Sequence, residues 1–377
     1  MKTTISEGLE RAISDVVAPA AVEVDSNGSF PRAGIEALAE AGVLGLISAT
    51  EVGGAGEAMD AACHVVERLA STCGSTAMVV LMHYASVPVI EAFGSREVRE
   101  AIGAGRHLST LALSETGSRS HFWSPLGTAT KTDAGVVLDA EKSWVTSAAQ
   151  ADSYVWSSRP LAADGPMTLW HVPSKAPGVA VAGDFDGLGL RGNGSVPVTA
   201  QGVVVAPEAM LGGDGQGLDV ALMMTLPWFL VMSAAFSLGA MEAVTAEATA
   251  HLTTTRLAHL DQSLAQQPVT RLELARMRVE TDRSRAFLND TLAALGTGRA
   301  DARLRVLEVK AVAGEAAIDV TERAMKVCGG AAFRKELGIE RHFRNSRAAR
   351  VMAPTTDVLL DFVGRVICGL ALLDGPP

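Results

Sequence analysis

Two hydroxyl-rich segments, about thirty residues apart, carry the side chains of this chain that are best suited to hold a ligand. Ser114, Ser118 and Ser120 lie in the first, LSETGSRS, where serines and a glycine can present backbone N–H groups to an anion. Trp144 and Thr146 lie in the second, KSWVTS, and place an indole ring close to a hydroxyl. Each segment alone also fits a plain interpretation, because polar loops join strands and a strand tryptophan is more often a core residue. Their occurrence as a pair favours a binding function.

The hydrophobic period changes twice along the chain and divides it into three predicted domains. Residues 1–107 have apolar residues at helical spacing, residues 108–212 contain short β-favouring runs separated by turn residues, and residues 213–377 return to helical spacing. The fold class is therefore mainly α with a central β domain. We expect an N-terminal helical domain, a middle antiparallel β-sandwich or barrel, and a C-terminal four-helix bundle. The predicted bundle helices lie near 216–254, 268–296, 300–328 and 355–373, and glycines at 296, 298, 329 and 330 act as stops.

Composition excludes several classes of function. The formal net charge of −10 argues against nucleic acid or an anionic membrane as a partner. The four cysteines have neither CxxC spacing nor a paired histidine, so we expect reduced thiols in the cytoplasm rather than disulfides or a zinc site. The N-terminal stretch MKTTISEGLERAISD has no apolar run of secretory type.

One uncharged run is long enough to span a bilayer. It extends over 22 residues from Val220 to Met241 and is flanked by Asp219 and Glu242. The flanks carry no cation that would orient a membrane span, and Pro227 and several hydroxyl residues dilute the hydrophobicity. We expect a helix buried on all sides of a bundle instead.

The C-terminal segment from Met325 to Val358 adds a third motif, MKVCGGAAFRKELGIERHFRNSRAARVMAPTTDV. It combines a Gly-Gly turn, an arginine-rich stretch and a short link into a final helix. Together with LSETGSRS, KSWVTS and the glycine loop EVGGAG at 51–56, it resembles the motifs of the acyl-CoA dehydrogenase flavoproteins. The order of helical, β and four-helix-bundle regions is that family's fold, and the resemblance extends over nearly the whole chain.

The resemblance implies bound FAD, rather than FMN or an exchangeable reduced flavin. In the family, the position of Ser114 meets the pyrimidine edge of the flavin and that of Ser120 serves the phosphate or pantetheine side. The position of Trp144 packs against the flavin ring, and the hydroxyl at that of Thr146 lies near N5. Donors at the pyrimidine edge stabilise the negative charge that builds there on reduction.

The helical half is expected to hold the remainder of the cofactor. Arg256 matches an arginine that reaches the pyrophosphate of the partner subunit's FAD, a role that suits a bidentate guanidinium. Gly329 and Gly330 match the backbone turn beside the adenosine part of the cofactor, and Thr355 and Asp357 match positions at its adenine end. A site shared between subunits implies a homodimer or homotetramer. This chain departs from the family pattern at two places. It has His259-Leu260 where the family has Phe-Gly after the arginine, and Lys326 where the family has Gln before the glycines.

This chain has no carboxylate at the position of the family's usual catalytic base. Where the family has Glu-Gly-Thr in the link, this chain has Ala353-Pro354-Thr355. Some members carry the Glu, followed by Arg, on the helix that opens the bundle, and Phe229 and Leu230 stand there. His121, directly after the first motif, is the candidate replacement because an imidazole exchanges protons near neutral pH. A lone histidine is more often a surface or ring-packing residue, so this candidate rests on position alone.

Three functions remain open at this stage. The first is an FAD-dependent oxidoreductase that acts on an acyl thioester, of CoA or a carrier protein, with a non-standard or absent proton acceptor. An electron-transfer flavoprotein or a flavin reductase is then the implied electron partner. The second is a flavin monooxygenase or N-hydroxylase of the same fold, in which an apolar pocket keeps water from the flavin. The third is a catalytically silent flavin- or acyl-binding protein.

Overall fold

The computed structural model of the protein describes residues 1–118 and 121–373, and its N-terminal region is helical. The helices are α1 (Thr3–Ala12), α2 (Ala18–Asn27), α3 (Arg32–Glu40), α4 (Met59–Ala70), α5 (Gly74–Phe93) and α6 (Arg96–Gly103). The π-helical turn Ile13–Val17 joins the first two. Because α5 is apolar on all sides, it is buried along nearly its whole length and packs against the neighbouring strands.

Two sheets form the middle region. Their strands are β1 (Ser109–Ala112), β2 (Thr128–Thr132), β3 (Gly135–Val145), β4 (Ser153–Ser158), β5 (Thr168–Pro173), β6 (Val179–Val181) and β7 (Val196–Val205). One sheet has the order β2-β3-β7-β6 and is antiparallel throughout. The other has the order β1-β4-β5.

The pairing of β1 with β4 corrects the expectation of a wholly antiparallel region. These strands run parallel, with Ser109 opposite Ser153, and only β4 and β5 run antiparallel. Parallel strands need a long crossover, and here β2 and β3 of the other sheet lie between them in the chain. All six residues of β4 are buried because it lies between β1 and β5.

The C-terminal region is again helical. It contains α7 (Gly217–Val220), α8 (Leu226–Thr254), the short strands β8 (Arg256–Leu257) and β9 (Gln262–Ser263), and then α9 (Pro268–Thr297), α10 (Ala302–Cys328), α11 (Ile339–Ser346), α12 (Ala348–Val351) and α13 (Thr356–Ile367). Gly298 and Gly329, at φ 63° and 53°, follow the ends of α9 and α10, as the sequence predicts. The last helix ends earlier than predicted, at Ile367.

The helical and β regions have separate cores. One cluster of buried apolar side chains extends through α4, α5, α8 and α10, so the N-terminal and C-terminal helices pack as one body. The other lies in the β region and includes Trp156 and Trp170. Helix α11 connects the regions, because Asn345 Oδ1 accepts a hydrogen bond from the backbone N of Leu190 at 2.7 Å.

Two helical runs, Gly74–Phe93 and Gly217–Thr254, are long and apolar enough to cross a membrane. In the most apolar window of each, 78% and 61% of the residues are buried within the fold. The second run contains the uncharged segment 220–241, whose burial agrees with the predicted bundle helix.

Candidate functional site

The fold brings the two hydroxyl-rich segments side by side. The backbone N of Ser143 donates to the carbonyl of Ser114 at 3.0 Å, and the N of Thr116 donates to the carbonyl of Glu141 at 3.2 Å. Glu115 and Lys142 form an antiparallel bridge between these contacts. Ser114 therefore lies beside the end of β3 that carries Trp144, as a shared binding site requires.

A buried ion pair fixes this arrangement. The Lys142 ammonium lies 2.5 Å from Glu115 Oε1 and also donates to the carbonyl and hydroxyl of Ser157, at 2.7 and 2.8 Å. The other Glu115 oxygen accepts N–H groups from Leu126 and Gly127. Burial lowers the pKa of Lys142 to about 8, although the nearby Glu115 charge acts in the opposite direction. Glu115 is thus a structural residue, because removal of either partner would leave a buried charge.

Trp144 projects from a distorted strand end. The pairing of β3 with β7 shifts register between Lys142 and Val145, and Trp144 has a φ of 56°. A non-glycine residue in this region is uncommon and marks a constrained backbone. The indole is 70% exposed and meets the Phe185 ring edge-on, with centroids 6.2 Å apart. This tryptophan is therefore an open aromatic wall and not a core residue.

Thr146 lies two residues after Trp144, and a hydrogen bond holds its hydroxyl in place. Its Oγ1 is 3.0 Å from Ser195 Oγ, and both side chains are buried. The Ser195 N donates to Asn193 Oδ1 at 3.0 Å, and the Ser147 N donates to the Asn193 carbonyl at 2.9 Å. Sequence reasoning missed Ser195, because it lies 49 residues from Thr146 and only the β3–β7 pairing brings the two together.

A buried lysine of α10 holds the link between α12 and α13 in place. Lys310 Nζ donates to the carbonyls of Ala349 at 2.9 Å, Met352 at 3.0 Å and Pro354 at 2.9 Å. Ala353, at the position of the missing base, is half-buried and Pro354 is buried. Burial lowers the pKa of Lys310 to about 7. Sequence reasoning missed this residue too, although a lysine between Val309 and Ala311 in a buried helical run was a usable signal.

The second carboxylate position of the family is apolar in three dimensions as well as in sequence. Phe229 and Leu230 are buried in α8, at 6% and 0% exposure. Lys310 Nζ lies 6.0 Å from the centroid of the Phe229 ring. The two positions without a carboxylate, Phe229 and Ala353, are therefore linked through the same lysine.

His121 lies on an exposed loop that packs against the last helix. Its ring is 4.9 Å from that of Trp123, and the Trp123 ring is 5.6 Å from that of Phe362 in α13. The imidazole is exposed and thus free to meet a ligand or solvent. Ser120, the other candidate in this loop, lies outside the described residues, as does Arg119.

The candidates for the nucleotide end lie at the bundle surface. Arg256 on β8 is exposed, and its guanidinium is paired with Asp261. Gly329 ends α10 with φ 53° and ψ −133°, and a Cβ at Gly329 or Gly330 would meet no atom within 4 Å. Thr355 immediately precedes α13, and Asp357 is exposed in its first turn. Contact of these residues with a cofactor stays a prediction.

The residues present fit a flavin. The exposed indole of Trp144 offers a flat apolar surface, Ser114 bonds to the residue that precedes it, and Thr146 is two residues further along the chain. The buried Ser147 hydroxyl has no hydrogen-bond partner among the described residues, so bonding capacity remains beside Thr146. The open space at Gly329 and Gly330 allows a close approach to the backbone.

A helical region, a β region with these paired segments and a second helical region together define the class of acyl-CoA dehydrogenase-like oxidoreductases. Family models for the N-terminal, middle and C-terminal domains of acyl-CoA dehydrogenase match residues 2–104, 110–203 and 215–368. The chain belongs to the acyl-CoA dehydrogenase family, which confirms the resemblance seen in the sequence.

Individual relatives agree with this assignment. The human mitochondrial short-chain specific acyl-CoA dehydrogenase is 26% identical over 349 residues, which cover 90% of this chain and 83% of that protein. The structure of butyryl-CoA dehydrogenase from Megasphaera elsdenii matches with a TM-score of 0.90 at 22% identity, covering 98% of this chain and 99% of the other. A structure of PigA with FAD and proline matches with a TM-score of 0.89 at 18% identity, covering 98% of both chains.

Proposed function

We propose that the protein is an FAD-dependent oxidoreductase that acts on an acyl thioester, of CoA or of a carrier protein, without the usual carboxylate base. The observation that carries the proposal is the Ser114–Ser143 hydrogen bond, because it joins the two flavin-type segments into one site. Family membership and the full-length relatives named for acyl-CoA dehydrogenation support the thioester. The FAD complex of PigA supports the cofactor.

Several residues would hold FAD in this proposal. Ser114, Trp144 and Thr146 would contact the ring system, and the residues expected at the nucleotide end are Arg256, Gly329, Gly330, Thr355 and Asp357. Bound FAD supplies an acceptor for the hydride that leaves the substrate. The exposed position of Arg256 supports a site completed by a second copy of the chain, in a homodimer or homotetramer.

The proton acceptor is the open part of this mechanism. At both family positions the chain has apolar side chains, so an α-proton has to leave by another route. His121 is the candidate, because its imidazole is exposed on the loop that follows Ser114. Its neighbour Trp123 packs against Phe362 of α13, the helix that follows Ala353, and this contact supports the choice of His121.

A second function is favoured by a different observation. Phe229, Leu230 and Pro354 are all buried, so the side chains at or next to both base positions are apolar, and the nearby Lys310 ammonium is bonded to backbone carbonyls. A monooxygenase or N-hydroxylase of this fold needs such a pocket to keep water out and has no need of an α-proton base. A flavin- or acyl-binding protein without catalysis is the third alternative.

Anaerobic mixing of the oxidised, FAD-loaded protein with a panel of acyl-CoAs separates these functions. Bleaching of the flavin absorbance by any thioester is the result expected for the proposed oxidoreductase. If no thioester bleaches the flavin, but chemically reduced flavin and oxygen hydroxylate an added substrate, the monooxygenase is correct. A silent binder does neither.

The same assay tests the proton acceptor. His121→Ala should abolish bleaching while the FAD content stays unchanged, because the imidazole is exposed and lies outside both buried cores. His64→Ala, at an exposed histidine of α4, is the matched control. Equal bleaching rates in His121→Ala and the wild type would remove His121 from the mechanism.

A further inference from the structure

Lys310 is a buried cation whose three partners are all carbonyl oxygens of one short segment. Its side chain is 2% exposed, and its three bonds to Ala349, Met352 and Pro354 measure 2.9 to 3.0 Å. A neutral amine has only two N–H donors, so three accepting carbonyls require the ammonium form. Among the described residues no carboxylate lies within ion-pair distance of Nζ. The carbonyls therefore supply the hydrogen bonds that solvate this charge, and the centroid of the Phe229 ring lies 6.0 Å from it.

Burial of this charge costs free energy that an apolar side chain of similar size would avoid, because the ammonium loses its hydration. The three carbonyls offset this cost. Ala349 belongs to the last turn of α12, where carbonyls lack intrahelical partners, and Met352 and Pro354 lie in the irregular link before α13. The ammonium thus replaces the hydrogen bonds that regular secondary structure would have supplied.

Two of the bonded carbonyls flank Ala353, which stands at the position where the family usually has its catalytic Glu. Met352 precedes it and Pro354 follows it, so the backbone on both sides of residue 353 is fixed to one atom of α10. The third bond, to Ala349, holds the end of α12 at the same point. Residue 353 and the first residues of α13 therefore cannot move independently of α10.

We propose that Lys310 is a positioning residue, which through these three carbonyls holds residue 353 and the N-terminal end of α13 in place beside the cofactor. The proposal rests on the proposed function for the cofactor. Its structural part, the fixed link, applies to the protein with or without FAD. Lys310 acts through the backbone and does not reach the substrate itself, because all its donors are occupied.

Backbone amide hydrogen exchange of the complete protein, with and without FAD, tests this role directly. Lys310→Met retains a chain of similar length and removes all three donors, and Lys310→Gln retains two. In the FAD-free protein, exchange of the hydrogen-bonded amides of Arg350, Met352 and Leu359 should rise at least tenfold in Lys310→Met and less in Lys310→Gln. The amides of α8 and of the α10 core should remain protected. FAD should bind at least tenfold more weakly to Lys310→Met, with an altered flavin absorbance spectrum.

Lys131→Met, which removes an ammonium from the exposed strand β2, is the matched control and should match the wild type. Unchanged exchange at the amides of Arg350, Met352 and Leu359 in Lys310→Met would overturn the proposal. Equally faster exchange throughout α10, or failure of both Lys310 variants to fold, would also overturn it, because Lys310 would then support the whole bundle. If the wild type binds no FAD, the proposed function fails, while the exchange measurement on FAD-free protein still decides the role of Lys310.

Discussion

Asp25 and Arg344 are 319 residues apart in the chain and form a paired hydrogen bond, with Nη1 to Oδ1 at 3.0 Å and Nη2 to Oδ2 at 2.5 Å. Arg344 Nη1 also donates to the Leu188 carbonyl at 3.0 Å, and its Nε donates to Glu340 at 2.6 Å. One guanidinium therefore joins α2, the β region and α11. Since α11 leads through α12 into the link at Ala353, this contact ties the packing of all three regions to the candidate site.

Arg344→Met should destabilise the protein by about 3 to 5 kcal/mol, because both side chains of the pair are largely buried and Asp25 would be left without its partner. Chemical denaturation followed by circular dichroism measures this loss. The control is Arg96→Met, whose pair with Glu100 is 76% and 47% exposed and should contribute less than about 1 kcal/mol. Equal losses in the two variants would show that Arg344 does not join the regions.

Ser195→Ala should weaken FAD binding by roughly fivefold to tenfold, because the buried Thr146 hydroxyl would lose the partner that orients it, at about 1 kcal/mol. Titration with FAD, followed by quenching of flavin fluorescence, measures the change. Ser195→Thr keeps a hydroxyl and should restore the affinity, and Ser26→Ala at the exposed end of α2 serves as a control. An affinity of Ser195→Ala within twofold of the wild type would contradict this role.

Ala353→Glu should accelerate acyl-CoA dehydrogenation if the substrate lies as in the family, because a carboxylate returns to the link. A positioned general base contributes on the order of 10² to 10⁴ in rate. Stopped-flow bleaching of the flavin by acyl-CoA measures the gain. Ala353→Gln has the same size without a proton acceptor and should bleach no faster than the wild type. Equal rates in the two variants would mean that the thioester does not lie beside residue 353.

A buried histidine should make stability depend on pH. His83 Nε2 lies 3.0 Å from the Leu44 carbonyl and its Nδ1 accepts the Ser109 N–H at 3.1 Å, so the ring is neutral in the fold. Burial lowers the pKa of His83 from 6.5 to about 4. Because the unfolded chain binds the proton more tightly, this stability is complete above pH 6.5 and is lost as the pH falls towards 4, by about 3 kcal/mol.

His83→Gln tests this dependence, because its amide can both donate and accept but does not titrate. Denaturation between pH 7 and pH 4 should show a smaller loss of stability in His83→Gln than in the wild type. His259→Gln at an exposed position should follow the wild type. Parallel profiles of the wild type and His83→Gln would refute the assignment.

The fold was largely predictable from the sequence, because local signals determined it. The change from helical to β-favouring periods marked the three regions, and Gly298 and Gly329 marked the ends of α9 and α10. The parallel pairing of β1 with β4 was not predictable, since adjacent short strands normally suggest hairpins and no local signal reports a long crossover.

The site was predictable where it resembles a known motif, and only there. The segments of Ser114 and Trp144 were recognised and do lie together. Ser195 and Lys310 were missed because their partners are remote in the chain. Lys310 in particular binds backbone carbonyls 39 to 44 residues away, and a carbonyl has no residue type by which a sequence could reveal it.

The bond between Asp25 and Arg344 has a consequence for the order of events on the ribosome. Asp25 emerges early, yet its partner is translated 319 residues later, which takes on the order of 15 to 60 seconds at ordinary elongation speeds. The nascent N-terminal helices lack this arginine throughout that interval, and for most of it they also lack the apolar surface of α8 and α10. We therefore expect ribosome-bound fragments that end before α11 to recruit chaperones and to be sensitive to protease.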